Sequence, residues 1–91
     1  MTTFFFTGSG HGVFDRFTTS AQLPNINRHS FILANICEIS QPQGEPLDFP
    51  FQGNATMEVH NIVPLDDGTV HFRLEIDWDR DLNFRLGVAV L

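Results

Sequence analysis

The chain has 91 residues and a formal net charge of −6 at pH 7, and its five basic side chains are all arginine. This length fits one domain, residues 1–91, and the negative charge disfavours nucleic acids and anionic membranes as partners. Without lysine, the chain cannot form a Schiff base or a Walker-type phosphate loop. A single cysteine, Cys37, and an N-terminus that does not resemble a signal peptide predict a cytoplasmic protein.

Three strands are predicted in the first half of the chain. Thr2–Thr7 and Val13–Thr18 are rich in β-branched and aromatic side chains, and the glycine-rich stretch between them predicts a hairpin turn. The third strand, His29–Ile39, is apolar on both faces, so we expect it to be covered on both. We place its bulkier set in the core and expect Cys37, which belongs to that set, to be inert. The proline-rich segment Ser40–Asn54 is predicted to be a loop.

The second half contains the clearest pattern. Apolar and polar side chains alternate with a period of two in Ala55–Val63, Thr69–Asp79 and Leu82–Leu91, which predicts a three-strand antiparallel meander. Matching the inward faces of the last two strands places Ile76 opposite Phe84. With six strands in all, the sequence predicts an all-β domain, either a small antiparallel sandwich or a partly open barrel.

Two registers fit the first pair of strands in this meander. One places Glu58 opposite Glu75. The other places Glu58 opposite Arg73 and His60 opposite His71. Like charges directly opposite each other are destabilising, so we predict the second register.

An acidic turn follows the second strand of the meander, with oxygen-bearing side chains at alternate positions Asp77, Asp79 and Asp81. Ca²⁺ takes about six to eight oxygen ligands, often from alternate positions of one loop. The helix–loop–helix calcium motif does not fit, because its sixth position needs glycine and the chain has Leu82. The alternative is a solvated turn that uses aspartate for its turn propensity. Any bound metal is predicted to be Ca²⁺ held by these three aspartates, and no other cofactor is expected.

Four further side chains are candidate ligand-binding residues. His60 and His71 could share Zn²⁺, although zinc prefers three or four protein ligands, and a pH-sensitive surface pair is the alternative. Asn35 lies in the middle of the third strand, where burial would require hydrogen-bond partners from a ligand, the backbone or water. Trp78 ends its strand and fits either a rim platform for a carbohydrate or a plug of the core.

No catalytic motif is present, and two functions remain. We favour a non-enzymatic module that self-associates, by default as a dimer, and binds a protein partner or a small ligand such as a carbohydrate. The alternative is a cofactor-free barrel enzyme, of the isomerase or cyclase type, acting on an apolar molecule. The length leaves little volume for a pocket of about 300 Å³ once the core is filled. The interface is predicted on the outward faces of the third and last strands, with Ile32, Ala34, Ile36, Gly87, Ala89 and Leu91.

Overall fold

The computed structural model describes residues 1–10 and 15–91, which form seven strands in two antiparallel sheets. The strands are β1 (Thr2–Gly10), β2 (Asp15–Gln22), β3 (Ile32–Ser40), β4 (Phe49–Phe51), β5 (Thr56–Pro64), β6 (Thr69–Asp77) and β7 (Leu82–Val90). The predicted all-β class is confirmed, with one strand more than expected, because the short β4 pairs with β3 inside the predicted loop. The described part of the chain contains no helix that is long and apolar enough to cross a membrane.

Strands distant in the sequence build each sheet. Sheet A has the order β1-β7-β3-β4, and sheet B has the order β2-β6-β5. The predicted N-terminal hairpin is therefore wrong, because β1 pairs with β7 and β2 pairs with β6. Residues 11–14, which include the end of the predicted turn and the start of the predicted strand Val13–Thr18, lie outside the described residues. Strand propensity located β1 and β2 along the chain but contained no information about their partners.

The C-terminal segments are strands, but only the first two are neighbours. β5 and β6 form a hairpin, whereas β7 is hydrogen-bonded to β1 and β3 in the other sheet. The predicted pair of Ile76 and Phe84 is therefore wrong, since Phe84 lies opposite Gly8 and Glu38. Both side chains belong to the same core. Alternation of apolar and polar side chains shows which face of a strand points to the core. The pattern is the same whether two strands pair side by side in one sheet or face each other from opposite sheets of a sandwich.

The core lies between the two central strands. Val70, Phe72, Leu74 and Ile76 of β6 are fully buried, and β7 supplies Phe84, Leu86 and Val88 from the opposite sheet. The ring of Phe84 also meets that of Phe17 on β2, with 5.9 Å between their centroids. The interior is therefore aliphatic and phenylalanine-rich, as suits a chain with ten phenylalanines and no tyrosine.

Over most of its length β3 turns inward the opposite face from the one predicted, although Ile39 of the predicted set is also buried, at 3% exposed. Ile32 is 8% exposed and belongs to the core, whereas Leu33 is 51% and Phe31 63% exposed. The pairing with β7 sets this orientation, because Ile32 lies opposite the inward-facing Val90. Cys37 is half-buried beside Arg85 rather than part of the core cluster. The size of the side chains on each face did not indicate which face is buried.

The turn between β5 and β6 depends on one carboxylate. The backbone N–H of Thr69 donates a hydrogen bond of 3.0 Å to Asp67 Oδ1, and Gly68 supplies the left-handed residue with φ of 89°. This backbone hydrogen bond is the main reason why the pKa of Asp67 lies below its ordinary value.

Asp67→Ala is expected to lower the melting temperature by a few degrees at pH 7. A carboxyl whose pKa is lower in the folded state than in the unfolded state stabilises the fold above its ordinary pKa. That contribution disappears as the pH falls through the lowered value. The variant should therefore lose less stability than the wild type on acidification from about pH 5 to pH 2. Circular dichroism melts over this range test the prediction, with Glu45→Gln in an exposed loop as the control. Parallel acid profiles of wild type and Asp67→Ala would contradict it.

Candidate functional site

An apolar surface occupies part of the outside of sheet A, next to the polar side chains of Thr3, Asn35 and Arg85. It consists of Phe5 on β1, Gly87 and Ala89 on β7 and Leu33 on β3, continued by Phe31 and Leu91 just beyond the strand ends; we call it the apolar face. Phe5 is 65% exposed, and Phe31 and Leu91 are each 63% exposed. Such a group of exposed large side chains is typical of an interaction site.

The apolar face has a groove with a ridge on either side. Its floor is Gly87 and Ala89, its sides are Phe5 and Leu33, and the depression has a volume of about 270 Å³. A Cβ atom at Gly87 would lie 2.6 Å from the side-chain oxygen of Asn35, so a larger residue here would displace the Asn35 side chain and fill part of the groove. The groove is lined by uncharged residues.

The outside of sheet B is polar and charged. We call it the polar face, and its side chains are Arg16, Thr18, Ser20 and Gln22 of β2, His71, Arg73, Glu75 and Asp77 of β6, and Thr56, Glu58 and His60 of β5. The sandwich therefore presents two outer surfaces of different character, although Val63, opposite His71 on the polar face, is 44% exposed.

A charged cluster occupies one end of the polar face, and Glu75 is at its centre. Its side chain is only 9% exposed, and Oε1 lies 2.8 Å from Arg16 Nε and 2.9 Å from His60 Nε2. The same imidazole nitrogen lies 3.3 Å from Glu58 Oε2. The hydrogen bond with His60 is the main reason that the pKa of Glu75 lies below its ordinary value, and Arg16 acts in the same direction. Desolvation, followed by the neighbouring Glu75, raises the pKa of Asp77.

The register of β5 on β6 differs from the predicted one. Glu58 lies opposite Glu75, so the prediction that set His60 opposite His71 is wrong. The repulsion that we expected to exclude this register is offset by two bases. Arg16 lies opposite Glu75 on its other side, and a β-bulge between Val59 and Ile62 contains His60. The prediction considered only β5 and β6, so it left out the positive charge of Arg16 on β2, the third strand of the sheet.

The other predicted ligand-binding residues lie apart from one another. Asn35 is exposed beside the groove of the apolar face instead of buried. His71 is half-buried on the polar face, opposite Ser20 and Val63. Trp78 is half-buried and packs against the core.

The predicted calcium ligands follow the end of β6. Asp77 is its last residue, while Asp79 and Asp81 are exposed in the turn, where Asp79 lies 3.3 Å from Arg80 Nε. The described residues contain one group of three metal-ligating side chains with donor atoms within 4.8 Å of each other, namely Glu58, His60 and Glu75. Calcium at the aspartate turn stays a prediction.

A second recess opens into the sandwich between β1 and β2, the edge strands of the two sheets. Its volume is about 380 Å³. Its apolar lining comes from side chains of the core and its margin, namely Phe6, Phe17, Phe72, Phe84 and Leu86. The remaining lining consists of threonine, serine, glycine and alanine, so its hydrogen-bonding side chains are hydroxyls.

Comparisons of the chain with protein-family models, with curated proteins and with solved structures find no match. The geometry of the chain itself is therefore the basis for assigning a function.

Proposed function

We propose that the protein is a non-enzymatic assembly module whose copies associate through the apolar face. The observation that carries this proposal is the contrast between the two outer surfaces of one small sandwich. The polar face carries the charged cluster, whereas the apolar face exposes Phe5, Phe31 and Leu33 to more than half of their area. A surface of this kind loses unfavourable hydration when a second apolar surface covers it.

The area of the apolar face suits association with a second copy of the chain. The exposed side chains of the apolar face amount to on the order of 400–500 Å², within the range of the largest patches on monomers, which are often functional. Two such faces bury roughly 800–1,000 Å² before the surrounding rim is counted. A stable interface begins near about 1,200 Å², which the rim would supply.

Shape and charge also favour a second copy. The ridges formed by Phe5 and Leu33 match the groove over Gly87 and Ala89, so a two-fold axis can place the ridge of each copy in the groove of the other. The chain carries a net charge of −6, but the cation beside this face is Arg85, 5.0 Å from the ring of Phe5. Copies that meet here keep their acidic polar faces apart.

The second candidate, a cofactor-free enzyme acting on an apolar small molecule, has the recess between β1 and β2 as its site. The volume of about 380 Å³ suits a small ligand. Isomerases and cyclases of this type need a group that exchanges protons near neutral pH, and the hydroxyls in this lining do not. We therefore assign the recess, at most, to the binding of a small apolar ligand.

Ala89→Arg is expected to convert the wild-type dimer into a monomer. The substitution places a charged side chain on the floor of the groove, where association would bury it without a partner, and should weaken association by at least about tenfold. Sedimentation velocity of wild type and variant at tens of micromolar tests this. Ser20→Arg is the matched control, because it adds the same side chain to the exposed polar face of β2.

The control should remain a dimer. A wild-type species of 10.3 kDa under these conditions would overturn self-association. A dimer that tolerates Ala89→Arg but not Ser20→Arg would show that the interface lies on the polar face instead.

A further inference from the structure

We infer that Glu58, His60 and Glu75 form a binding site for a divalent transition-metal cation, with Zn²⁺ as the ion that fits best. The site lies on the polar face, on the opposite side of the sandwich from the proposed interface. It combines one imidazole nitrogen with two carboxylates, so it is a mixed nitrogen and oxygen donor set rather than a group of acidic side chains. Zinc binds both imidazole nitrogen and carboxylate oxygen, and the imidazole favours it over Ca²⁺ and Mg²⁺.

The separations between the His60 nitrogen and the two carboxylates are close to those around a bound zinc ion. Zinc binds nitrogen and oxygen at about 2.0–2.2 Å, so two ligands of a tetrahedral site lie about 3.3–3.5 Å apart. His60 Nε2 lies 2.9 Å from Glu75 Oε1 and 3.3 Å from Glu58 Oε2. Donor atoms of the three residues are all within 4.8 Å of one another. To bind a cation, the His60 nitrogen would have to move by only a few tenths of an ångström. The two carboxylates would have to make a larger adjustment.

The backbone holds these donors together by an irregularity. In a regular ladder, Glu58 would lie opposite Glu75 and His60 opposite Arg73, but the bulge between Val59 and Ile62 interrupts this ladder at His60. Bulges often re-aim a side chain at a functional site. Here the bulge accompanies an imidazole that reaches both carboxylates of the like-charged pair of Glu58 and Glu75.

The charges around the site favour a cation. Glu58, Glu75 and Asp77 contribute three carboxyl groups against two arginines of the same face, namely Arg16, which contacts Glu75, and Arg73. The Arg16 side chain is 72% exposed, whereas that of Glu75 is 9% exposed. Arg16 can therefore swing into solvent while Glu75 stays in place. We expect Arg16 to compete with the metal for Glu75 Oε1.

Calorimetric titration of the full chain with ZnCl₂, after chelator treatment and dialysis, tests this inference. We expect one Zn²⁺ per chain, with binding weakened at least about tenfold by His60→Ala or Glu58→Gln. His71→Ala is the matched control, because it removes the other histidine described on the polar face and should leave binding unchanged. Arg16→Ala should tighten binding about threefold to tenfold, because it removes the competing positive charge.

Several results would overturn the site. These are the absence of zinc binding, binding that survives both His60→Ala and Glu58→Gln, and CaCl₂ binding as tight as ZnCl₂ binding, which would exclude a nitrogen ligand. Circular dichroism of each variant separates loss of the site from loss of the fold. Glu58→Gln is the safer variant in this respect, because the Glu58 side chain is 52% exposed. A shift of the His60 ring nitrogen signals on zinc addition in NMR spectra would support direct ligation.

Discussion

Phe72→Ala should cost about 3–5 kcal/mol of stability, because it leaves a cavity at the centre of the core. Phe72 is fully buried on β6, the central strand of sheet B. A domain of this length has a total stability of about 5–14 kcal/mol. The variant should therefore lose a large share of its stability, with a urea midpoint far below that of the wild type.

Phe31→Ala is the matched control, since it removes the same side chain from a position that is 63% exposed. Its cost should stay below about 1 kcal/mol. Both substitutions are best measured in the Ala89→Arg background, so that loss of association does not contribute. Equal costs for the two substitutions would contradict the arrangement of the sheets described above.

Ile32→Asp should unfold the protein, whereas Leu33→Asp should leave the fold intact. The two residues are adjacent on β3, but Ile32 belongs to the core and Leu33 lies on the apolar face. A carboxylate at position 32 would be buried without a partner, which costs several kcal/mol or forces the strand out of the sheet. At position 33 it would remain in solvent, with an effect within about 0.5 kcal/mol on the stability of the monomer.

Urea denaturation of the two variants in the Ala89→Arg background separates these outcomes. In the otherwise native chain, Leu33→Asp should also weaken dimer formation, which sedimentation would detect. The opposite ranking, with Leu33→Asp the more damaging for folding, would show that the bulkier set of β3 faces the core, as its composition alone suggested.

Periodicity was enough to locate most strands but not to pair them. The alternation in β6 and β7 predicted correctly that Ile76 and Phe84 are buried, because inward and outward positions differ sharply in polarity there. It could not distinguish a hairpin from two strands in opposing sheets. In β3 both sets are apolar, so the buried set is determined by the neighbouring β7, through long-range contacts such as Ile32 with Val90.

The candidate sites were only partly accessible from the sequence. Gly87 and Ala89 could be assigned to the outward face of β7, because their alternation with Leu86 and Val88 is regular. The β3 residues predicted for the same interface were wrong, because Ile32, Ala34 and Ile36 pack in or against the core. Phe5 was missed, since Phe4 and Phe6 flank it and all three look alike. The cluster at Glu75 depends on Arg16, which reaches it from a strand 59 positions earlier in the chain. No local pattern indicates such a contact.

The central position of β7 also determines the order in which the protein can fold. The hairpin of β5 and β6 closes through a short turn and can form early, whereas Thr2 of β1 pairs with Val90 of β7, across almost the whole sequence. β1 and β3 have no direct pairing in sheet A, so neither joins the other until β7 has been synthesised. During that interval β1, nine residues without a charged side chain, has both of its edges unpaired. The nascent chain is therefore more prone to intermolecular strand pairing than the finished protein, and its yield should depend on how quickly synthesis reaches β7.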